Sequence, residues 1–181
     1  MNDLELVERF QKGDEAAFNE LVHRYKDKVY WTARRFLQDH DEADEVVQQS
    51  FLKAYKGLKT FRSDSGVFTW LYRITVNTAL NVLRKQRARE FLGIDELTSE
   101  SGPESDRPDE QYERGEEQAL VEEAIRRLPE KQRAVFVLRF YDQLSYEEIA
   151  EILNTSVGGL KANFFHAMRK IEEYVKSVHG S

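Results

Sequence analysis

Hydrophobic residues recur every three or four positions along most of the chain, which is the spacing of one buried helix face. Asp14 is a suitable N-cap for a first helix. Its apolar stripe comprises Ala17, Phe18, Leu21, Val22, Tyr25, Val29, Ala33, Phe36 and Leu37. A second helix, from about Glu42 to Tyr55, has an apolar face made of Ala43, Val46, Val47, Phe51 and Ala54. No window alternates with a period of two, so the pattern predicts an all-α fold without a sheet.

A polar loop separates the second helix from a third one. Its sequence TFRSDSG, residues 60–66, contains the Ser, Asp and Gly residues that favour an exposed turn. The third helix includes the stretch from Thr69 to Arg87, and its predicted inward face is formed by Val67, Phe68, Leu71, Tyr72, Ile74, Thr78, Ala79, Val82 and Leu83. On a helical wheel, the other side carries Trp70, Arg73, Asn77, Asn81 and Arg84.

The second side of this helix has two interpretations. An arginine, an asparagine and an aromatic ring in line can contact a phosphate, a base edge and a base face, as in proteins that bind single-stranded or distorted nucleic acid. The run RKQRAR, residues 84–89, adds positive charge for phosphates. The alternative is structural, with Trp70 at the edge of the core, solvated asparagines, and basic residues that favour the helix C-terminus. This helix by itself leaves both interpretations open.

Three further helices are predicted near the C-terminus. The first runs from about Glu130 to Tyr141, and the second follows a capping box formed by Ser145 and Glu148. The second helix directs Ile149, Ile152 and Leu153 inward, whereas the third, capped by Ser156, directs Val157, Leu160, Phe164, Ala167 and Ile171 inward. Two short helices around a tight turn, with a small Ala150 at their crossing, predict a helix-turn-helix.

A helix-turn-helix can serve packing alone, but DNA binding is the favoured interpretation here. The third helix would enter the major groove with its outward residues, which are Lys161, Ala162, Phe165, His166 and Arg169. Its basicity is modest, so we expect this part of the chain to bind DNA weakly by itself.

The net charge of −6 argues at first against a nucleic-acid partner, but its distribution changes that conclusion. Residues 1–92 carry 16 basic and 14 acidic side chains, residues 93–118 carry 2 and 10, and residues 119–181 carry 9 and 9. The middle segment also contains two of the three prolines and few residues able to form a core. The sequence therefore predicts two small helical domains, 1–92 and 119–181, joined by an acidic flexible linker at 93–118.

Composition also argues against several other classes of protein. The chain has no cysteine, and its four histidines lack the spacing of metal ligands, so we expect neither a structural metal nor a cofactor. No apolar run approaches the roughly 18 residues of a membrane span, and the N-terminus lacks a signal sequence, so we expect a cytoplasmic protein without membrane insertion. No catalytic set of residues stands out, so we do not expect an enzyme.

Two blocks of the sequence resemble the bacterial extracytoplasmic-function (ECF) sigma factors of the RpoE-like type. They are DEVVQQSFLKAYKGLKTFRSDSGVFTWLYRITVNTALN and LSYEEIAEILNTSVGGLKANFFHAMRKI, in the order that this family has. The resemblance implies a subunit that binds core RNA polymerase, directs it to promoters and helps to open the DNA. It further implies sigma region 2 at 1–92, sigma region 4 at 119–181, and control by an anti-sigma factor in a stress response.

The resemblance also implies roles for individual residues. Contact with the β′ clamp helices of the polymerase is implied for Glu45, Gln48, Gln49 and Phe51, and region 4 would contact the β flap. Recognition of the minus-10 element is implied for the loop with Phe61 and Arg62 and for the following helix with Trp70, Arg73, Asn77, Asn81 and Arg84, where Asn77 belongs to the region that recognises a flipped-out base. Recognition of the minus-35 element is implied for the helix-turn-helix, with Arg139 on a phosphate.

Some positions depart from the family pattern. The docking helix has Gln48 and Gln49 where a Gln-Glu pair is usual, and the third helix of the C-terminal domain has His166 and Met168 where basic residues are frequent.

Two alternatives remain open for the linker and for the function. The acidic linker is either a solvated tether or a segment that passes through the polymerase cleft and mimics nucleic acid. The alternative function is that of a stand-alone helix-turn-helix regulator, which would bind duplex DNA without polymerase.

Overall fold

A computed structural model describes residues 1–62, 64–93 and 115–180, and these residues form helices and no strand. The predicted all-α fold is confirmed. Most of the predicted acidic linker, residues 94–114, lies outside the described residues, so its character stays a prediction.

Four helices form the N-terminal half. They are α1 (Asp3–Gln11), α2 (Glu15–Leu37), α3 (His40–Leu58) and α4 (Val67–Phe91). The sequence interpretation did not include α1. It begins at a capping box in which the side chains of Asn2 and Glu5 each accept a hydrogen bond from the other's backbone N–H, and it buries Leu6, Val7 and Phe10.

Local capping explains why α2 and α3 form an antiparallel pair. The side chain of Asp14 accepts from the backbone N–H of Ala16 at 3.1 Å, which confirms the predicted N-cap. At the other end of α2, Gln38 adopts a left-handed conformation with φ of 57°, and Asp39 then caps α3 by accepting from Glu42 N–H at 2.9 Å. The loop after α3 is largely exposed, and α4 returns to pack against both α2 and α3.

The C-terminal half contains α5 (Glu116–Arg126), α6 (Glu130–Phe136), which continues as a π-helical turn at Val137–Tyr141, α7 (Tyr146–Leu153) and α8 (Val157–His179). The sequence interpretation did not include α5, which begins inside the segment assigned to the linker. The predicted capping box is confirmed, because Ser145 Oγ accepts from Glu148 N–H at 3.1 Å. Asn154, with φ of 53°, makes the tight turn between α7 and α8.

One continuous apolar core extends across both halves of the chain. It includes Phe36 and Val46 from the N-terminal half and Ile125, Leu138 and Ile149 from the C-terminal half. The helix α4 packs against α7 as well as against α2 and α3, and α2 packs against the π-helical turn. The two predicted domains therefore lie directly against each other.

This second packing surface explains an incomplete prediction for α4. The predicted inward face omitted Thr75, Val76 and Leu80, all of which are buried. Val76 and Leu80 belong to the core cluster that both halves share. A helical wheel assumes one buried face, whereas α4 has a second face covered by the C-terminal half.

Candidate nucleic-acid and polymerase interface

The polar side of α4 carries two exposed asparagines and two arginines that bind the C-terminal half of the chain. Asn77 and Asn81 are both exposed to solvent. Arg73 donates through Nη2 to the backbone oxygen of Glu151 at 2.7 Å, across the boundary between the two halves. Arg84 makes a bidentate contact with the Glu130 carboxylate, in which Nη2 donates to Oε1 at 2.5 Å and Nε donates to Oε2 at 3.2 Å. Arg84 Nη1 also donates to Asn81 Oδ1 at 3.2 Å. The four predicted residues therefore follow one line along α4, but the arginines already have partners.

Trp70 and the preceding loop support each other by packing. The Trp70 ring is partly buried and lies edge-on to Phe61, with ring centroids 5.2 Å apart. A Cβ atom added at Gly57 would lie 2.8 Å from Trp70 Cζ2, so α3 approaches the indole closely at a position that has no side chain. Gln11 of α1 braces the loop by donating to the backbone oxygens of Leu58 and Phe61. These contacts fit the structural interpretation of Trp70, and contact with DNA stays a prediction for it.

The outward face of α8 has the predicted composition. The predicted groove-facing residues are all exposed: Lys161, Ala162, Phe165, His166 and Arg169. Leu160, Ala167 and Ile171 are buried on the opposite face, and Val157 and Phe164 are partly buried. Phe165 is 62% exposed and Met168 is 41% exposed, which gives this face an apolar strip beside its basic residues.

Arg139, for which a phosphate contact is predicted, makes two contacts within the C-terminal half. It donates to the backbone oxygen of Leu144 at 2.9 Å and lies over the Tyr146 ring, with its guanidinium carbon 4.6 Å from the ring centroid. It therefore braces the turn between the π-helical segment and α7. A phosphate contact by the same side chain stays a prediction.

The predicted polymerase-docking face lies on the outer side of α3. Glu45 and Gln48 are exposed, and Gln49 donates to Glu45 Oε1 at 3.0 Å. Phe51 is partly buried against the N-terminal core, whereas the neighbouring Leu52 is 62% exposed. The sequence interpretation missed Leu52. Its only signal was an apolar residue outside the predicted inward stripe, and a single exposed apolar residue is common on protein surfaces.

A polar cluster joins the two halves beside α4. Thr32 of α2 donates to Asp142 Oδ2 at 2.7 Å, and Arg35 of α2 donates to Asp142 Oδ1 at 3.3 Å. The Tyr72 hydroxyl lies 3.2 Å from that of Thr32. Burial raises the pKa of Asp142, and the hydrogen bond from Thr32 and the charge of Arg35 oppose that rise. Burial also raises the pKa of Tyr72 to about 12.

A buried guanidinium crosses the same boundary. Arg133 of α6 is 3% exposed and donates to the backbone oxygen of Phe36, near the end of α2, at 2.9 Å. Burial lowers the pKa of Arg133 to about 10, and the charges of Arg87 and Arg126 contribute to the decrease. A cation at the C-terminal end of a helix interacts favourably with its dipole, which offsets part of the cost of burial.

Neither a metal cluster nor a membrane-spanning helix occurs in the described parts of the chain. No group of three or more His, Asp or Glu side chains within 1–62, 64–93 and 115–180 is arranged to hold a metal ion. None of the helices described above is long and apolar enough to cross a bilayer.

The fold and the exposed surfaces define a class of two-part helical DNA-binding proteins, with a helix-turn-helix at one end and an amide-bearing and arginine-bearing helix at the other. Comparison with known families is consistent with this class. The chain matches Sigma-70 region 2 over residues 21–89 and Sigma-70 region 4 over residues 118–171. It belongs to the extracytoplasmic-function group of the sigma-70 family of RNA polymerase sigma factors.

Individual relatives agree along nearly the whole chain. The ECF RNA polymerase sigma-E factor of Escherichia coli K12 is 42% identical over 98% of this chain and 96% of its own length. CnrH, solved in complex with the cytosolic domain of CnrY, superimposes with a TM-score of 0.72 at 25% identity, covering 97% of each chain. RpoE of Bartonella quintana, solved in complex with the anti-sigma factor NepR, gives a TM-score of 0.68 at 26% identity over 88% of this chain and 96% of that one.

Proposed function

We propose that this sigma factor docks on core RNA polymerase through the outer face of α3, contacts the minus-10 element through α4 and contacts the minus-35 element through α8. The observation that carries the proposal is the pair of exposed amides on α4, Asn77 and Asn81, in line with Arg73 and Arg84. On the same chain, α8 exposes the residue types that contact a major groove.

Opening of the DNA follows from the chemistry of α4. Unpairing and unstacking one base costs a few kcal/mol, which hydrogen bonds to its exposed edge and contacts to the neighbouring phosphates can offset without ATP. In this proposal Asn77 and Asn81 supply the amide hydrogen bonds, and Arg73 and Arg84 neutralise phosphates of the non-template strand. The loop residue Phe61 packs against Trp70 of α4, and the exposed Arg62 follows Phe61 in the chain. In this proposal both residues extend the DNA-contacting surface.

Docking to polymerase uses a different surface of the N-terminal half. Glu45, Gln48 and Gln49 offer polar contacts, and the exposed Leu52 offers an apolar centre for the interface with the β′ clamp helices. Phe51 supports this face from inside the helix pair rather than from its surface. Contact between the C-terminal half and the β flap completes the attachment in this proposal.

Duplex recognition at the minus-35 element belongs to α8. Lys161 and Arg169 supply charge for phosphates or guanine edges, and Ala162 and Phe165 supply apolar contact suited to thymine methyl groups. His166 stands at a position where the family often has a basic residue. Because this helix has few basic residues, we propose that it contributes sequence preference while polymerase supplies most of the affinity.

The proposal also covers the kind of activity, its place in the cell and its regulation. The proposed activity contains no catalytic step, cofactor or membrane insertion, and it takes place in the cytoplasm, where the polymerase and the chromosome lie. One similar structure supports control by an anti-sigma factor, since RpoE of Bartonella quintana was solved in complex with the anti-sigma factor NepR. A stress-response role and passage of the acidic segment through the polymerase cleft are part of the same proposal.

Run-off transcription tests the proposal directly. Core polymerase with the added chain is expected to start at defined genomic promoters, whereas core polymerase without it is not. A gel shift separates the alternative function, because a stand-alone regulator would bind duplex promoter DNA specifically at ordinary salt without polymerase. Specific duplex binding by the chain alone, together with no initiation from any genomic template, would overturn the proposal.

A further inference from the structure

A cavity with aromatic and charged walls lies between α2, the start of α4 and the turn that follows the π-helical segment. Its volume is about 360 Å³, which is in the range of small-molecule binding sites. The lining residues that matter for its chemistry are Lys28, Trp31, Arg35, Phe68, Tyr72 and Asp142. These residues belong to none of the surfaces proposed above for polymerase or DNA, so the cavity has no role in that proposal.

The aromatic walls of the cavity come from two helices. Trp31 of α2 is only partly buried, so part of its indole ring is open to the cavity. On the side of α4, the Phe68 and Tyr72 rings pack on each other with their centroids 4.4 Å apart. Aromatic rings bind other rings in offset or edge-to-face arrangements. These walls therefore suit a flat and mainly apolar molecule.

Two cations line the same cavity. The Lys28 ammonium lies 5.8 Å from the centroid of the Phe68 ring, and no carboxylate in the described part of the chain lies within ion-pair distance of it. The Arg35 guanidinium carbon lies 5.9 Å from the Trp31 centroid and 4.7 Å from the Tyr141 centroid. Packing between two rings holds the Arg35 side chain in place, so it loses little freedom when it binds an anion.

The two carboxylates that line the cavity differ in their surroundings. Asp142 already accepts hydrogen bonds from Thr32 at 2.7 Å and from Arg35 at 3.3 Å. A guanidinium has several N–H donors, and this contact uses one of those on Arg35. Asp27 is exposed at the rim, where water and salt screen its charge. The cavity therefore offers the Lys28 ammonium and further N–H groups of Arg35 to an anion.

From these walls we infer that the cavity binds a small aromatic carboxylate. Its ring lies against Trp31 and Phe68, and its carboxylate lies between Lys28 and Arg35. A guanidinium and an ammonium are the side chains that bind carboxylates through charge-assisted hydrogen bonds. A neutral aromatic molecule would leave both cations unused, and an aromatic cation would be repelled by them. The inference does not depend on the proposed promoter function, because the site lies apart from those surfaces.

Three probes of the same shape test the sign of the charge. They are 2-naphthoate, the neutral 2-naphthamide and the cationic 2-naphthylmethylammonium, each titrated into the full chain in a calorimeter at low salt. We expect 2-naphthoate to bind saturably at one site with a Kd below about 1 mM, which is ordinary for a ligand of this size. The amide should bind at least about fivefold more weakly, and the ammonium more weakly still.

Two variants test the position of the ligand. Lys28→Gln should weaken the binding of 2-naphthoate about fivefold and leave that of 2-naphthamide unchanged, because only a charge is lost. The matched control is Lys26→Gln, the same change at another exposed lysine of α2 that does not line the cavity. Trp31→Leu keeps an apolar side chain but removes the flat ring, so it should weaken the binding of both probes. Circular dichroism verifies that each variant is folded.

Several results would overturn the inference. One is the absence of saturable 2-naphthoate binding to the wild type. Equal affinity for the three probes would show unspecific apolar adsorption, and a preference for the ammonium would show that the carboxylates Asp27 and Asp142 dominate the cavity. Equal weakening by Lys26→Gln and Lys28→Gln would assign the effect to the overall charge of α2. Unchanged binding in folded Trp31→Leu would place the ligand outside this cavity.

Discussion

Asn77 is the side chain whose role can be tested with least disturbance of the fold. It is exposed on α4, so its removal creates no cavity and leaves no buried group unpaired. We expect Asn77→Ala to reduce promoter opening about tenfold or more, since hydrogen bonds to a flipped base are lost, while affinity for core polymerase is unchanged. Permanganate footprinting of the opened strand and a polymerase-binding assay measure the two quantities.

A matched control for this experiment lies on another helix. Asn19 is an exposed asparagine of α2, outside the proposed surfaces, and Asn19→Ala should leave both quantities unchanged. Equal loss of opening and of polymerase binding in Asn77→Ala would show a folding role for Asn77 and would contradict its assignment to the minus-10 element.

Asp142 predicts that the stability of the folded chain depends on pH. Burial raises the pKa of Asp142, while Thr32, Arg35 and Lys28 on α2 oppose the rise. Tyr72 on α4 approaches the same cluster. Because the pKa is raised on folding, the folded chain binds this proton more tightly than the unfolded chain, and the contribution of Asp142 to stability is largest in acid. That contribution is lost as the pH rises from the ordinary carboxyl range, near 3.8, through the raised pKa.

Urea denaturation at a series of pH values gives the measurement. The stability of the wild type relative to Asp142→Asn should increase as the pH falls through this window, because the amide does not titrate. Asn also keeps an acceptor for Thr32, so the variant should remain folded at neutral pH. A stability difference between the two chains that does not change with pH would assign the dependence to another group.

The close packing of α3 on α4 requires a glycine at position 57, beside the Trp70 ring. A Cβ at Gly57 would lie 2.8 Å from the indole, closer than ordinary contact allows, so the ring or the helix must move. Alanine normally stabilises a helix interior by about 1 kcal/mol relative to glycine. Here we expect Gly57→Ala to destabilise the protein by about 1–3 kcal/mol, because overpacking outweighs that gain. Urea denaturation measures the change.

Gly158 provides the comparison for this prediction. It lies in the first turn of α8 and is exposed, and a Cβ there would meet no described atom within 4 Å. Gly158→Ala should therefore keep the ordinary helix stabilisation of up to about 1 kcal/mol. If Gly57→Ala were stabilised by a similar amount, the indole would be free to move and its close packing on α3 would not matter for stability.

The shared core predicts how the chain unfolds as a unit. Residues from α2, α3 and α4 lie in one apolar cluster with residues from α5, α6, α7 and α8. Two halves that share a core should unfold together, so we expect a single calorimetric transition with equal calorimetric and van't Hoff enthalpies. Glu130→Arg places a cation against Arg84 at the contact between the halves and should broaden or split this transition. Two separate transitions in the wild type would show that the halves are thermodynamically independent.

Local signals in the sequence were enough to predict most helices and several of their ends. The caps at Asp14, Ser145 and Ser156 involve residues within three positions of each other, so no distant part of the chain is needed to form them. The exposed face of α8 was predicted for the same reason, since helical periodicity determines which side chains share a face. The prediction missed α1 and α5, although the capping box of α1 is just as local.

The sequence by itself determined an all-α chain, its main helical periodicities, and the family whose motifs it contains. Only the tertiary structure decided that α4 is covered on a second side and that Arg73 and Arg84 are bound by the other half of the chain. The physical reason is one of range. Periodicity and capping act over a few residues, whereas the partners of Arg73 and Thr32 lie 78 and 110 positions away, where only packing of the complete chain brings them together.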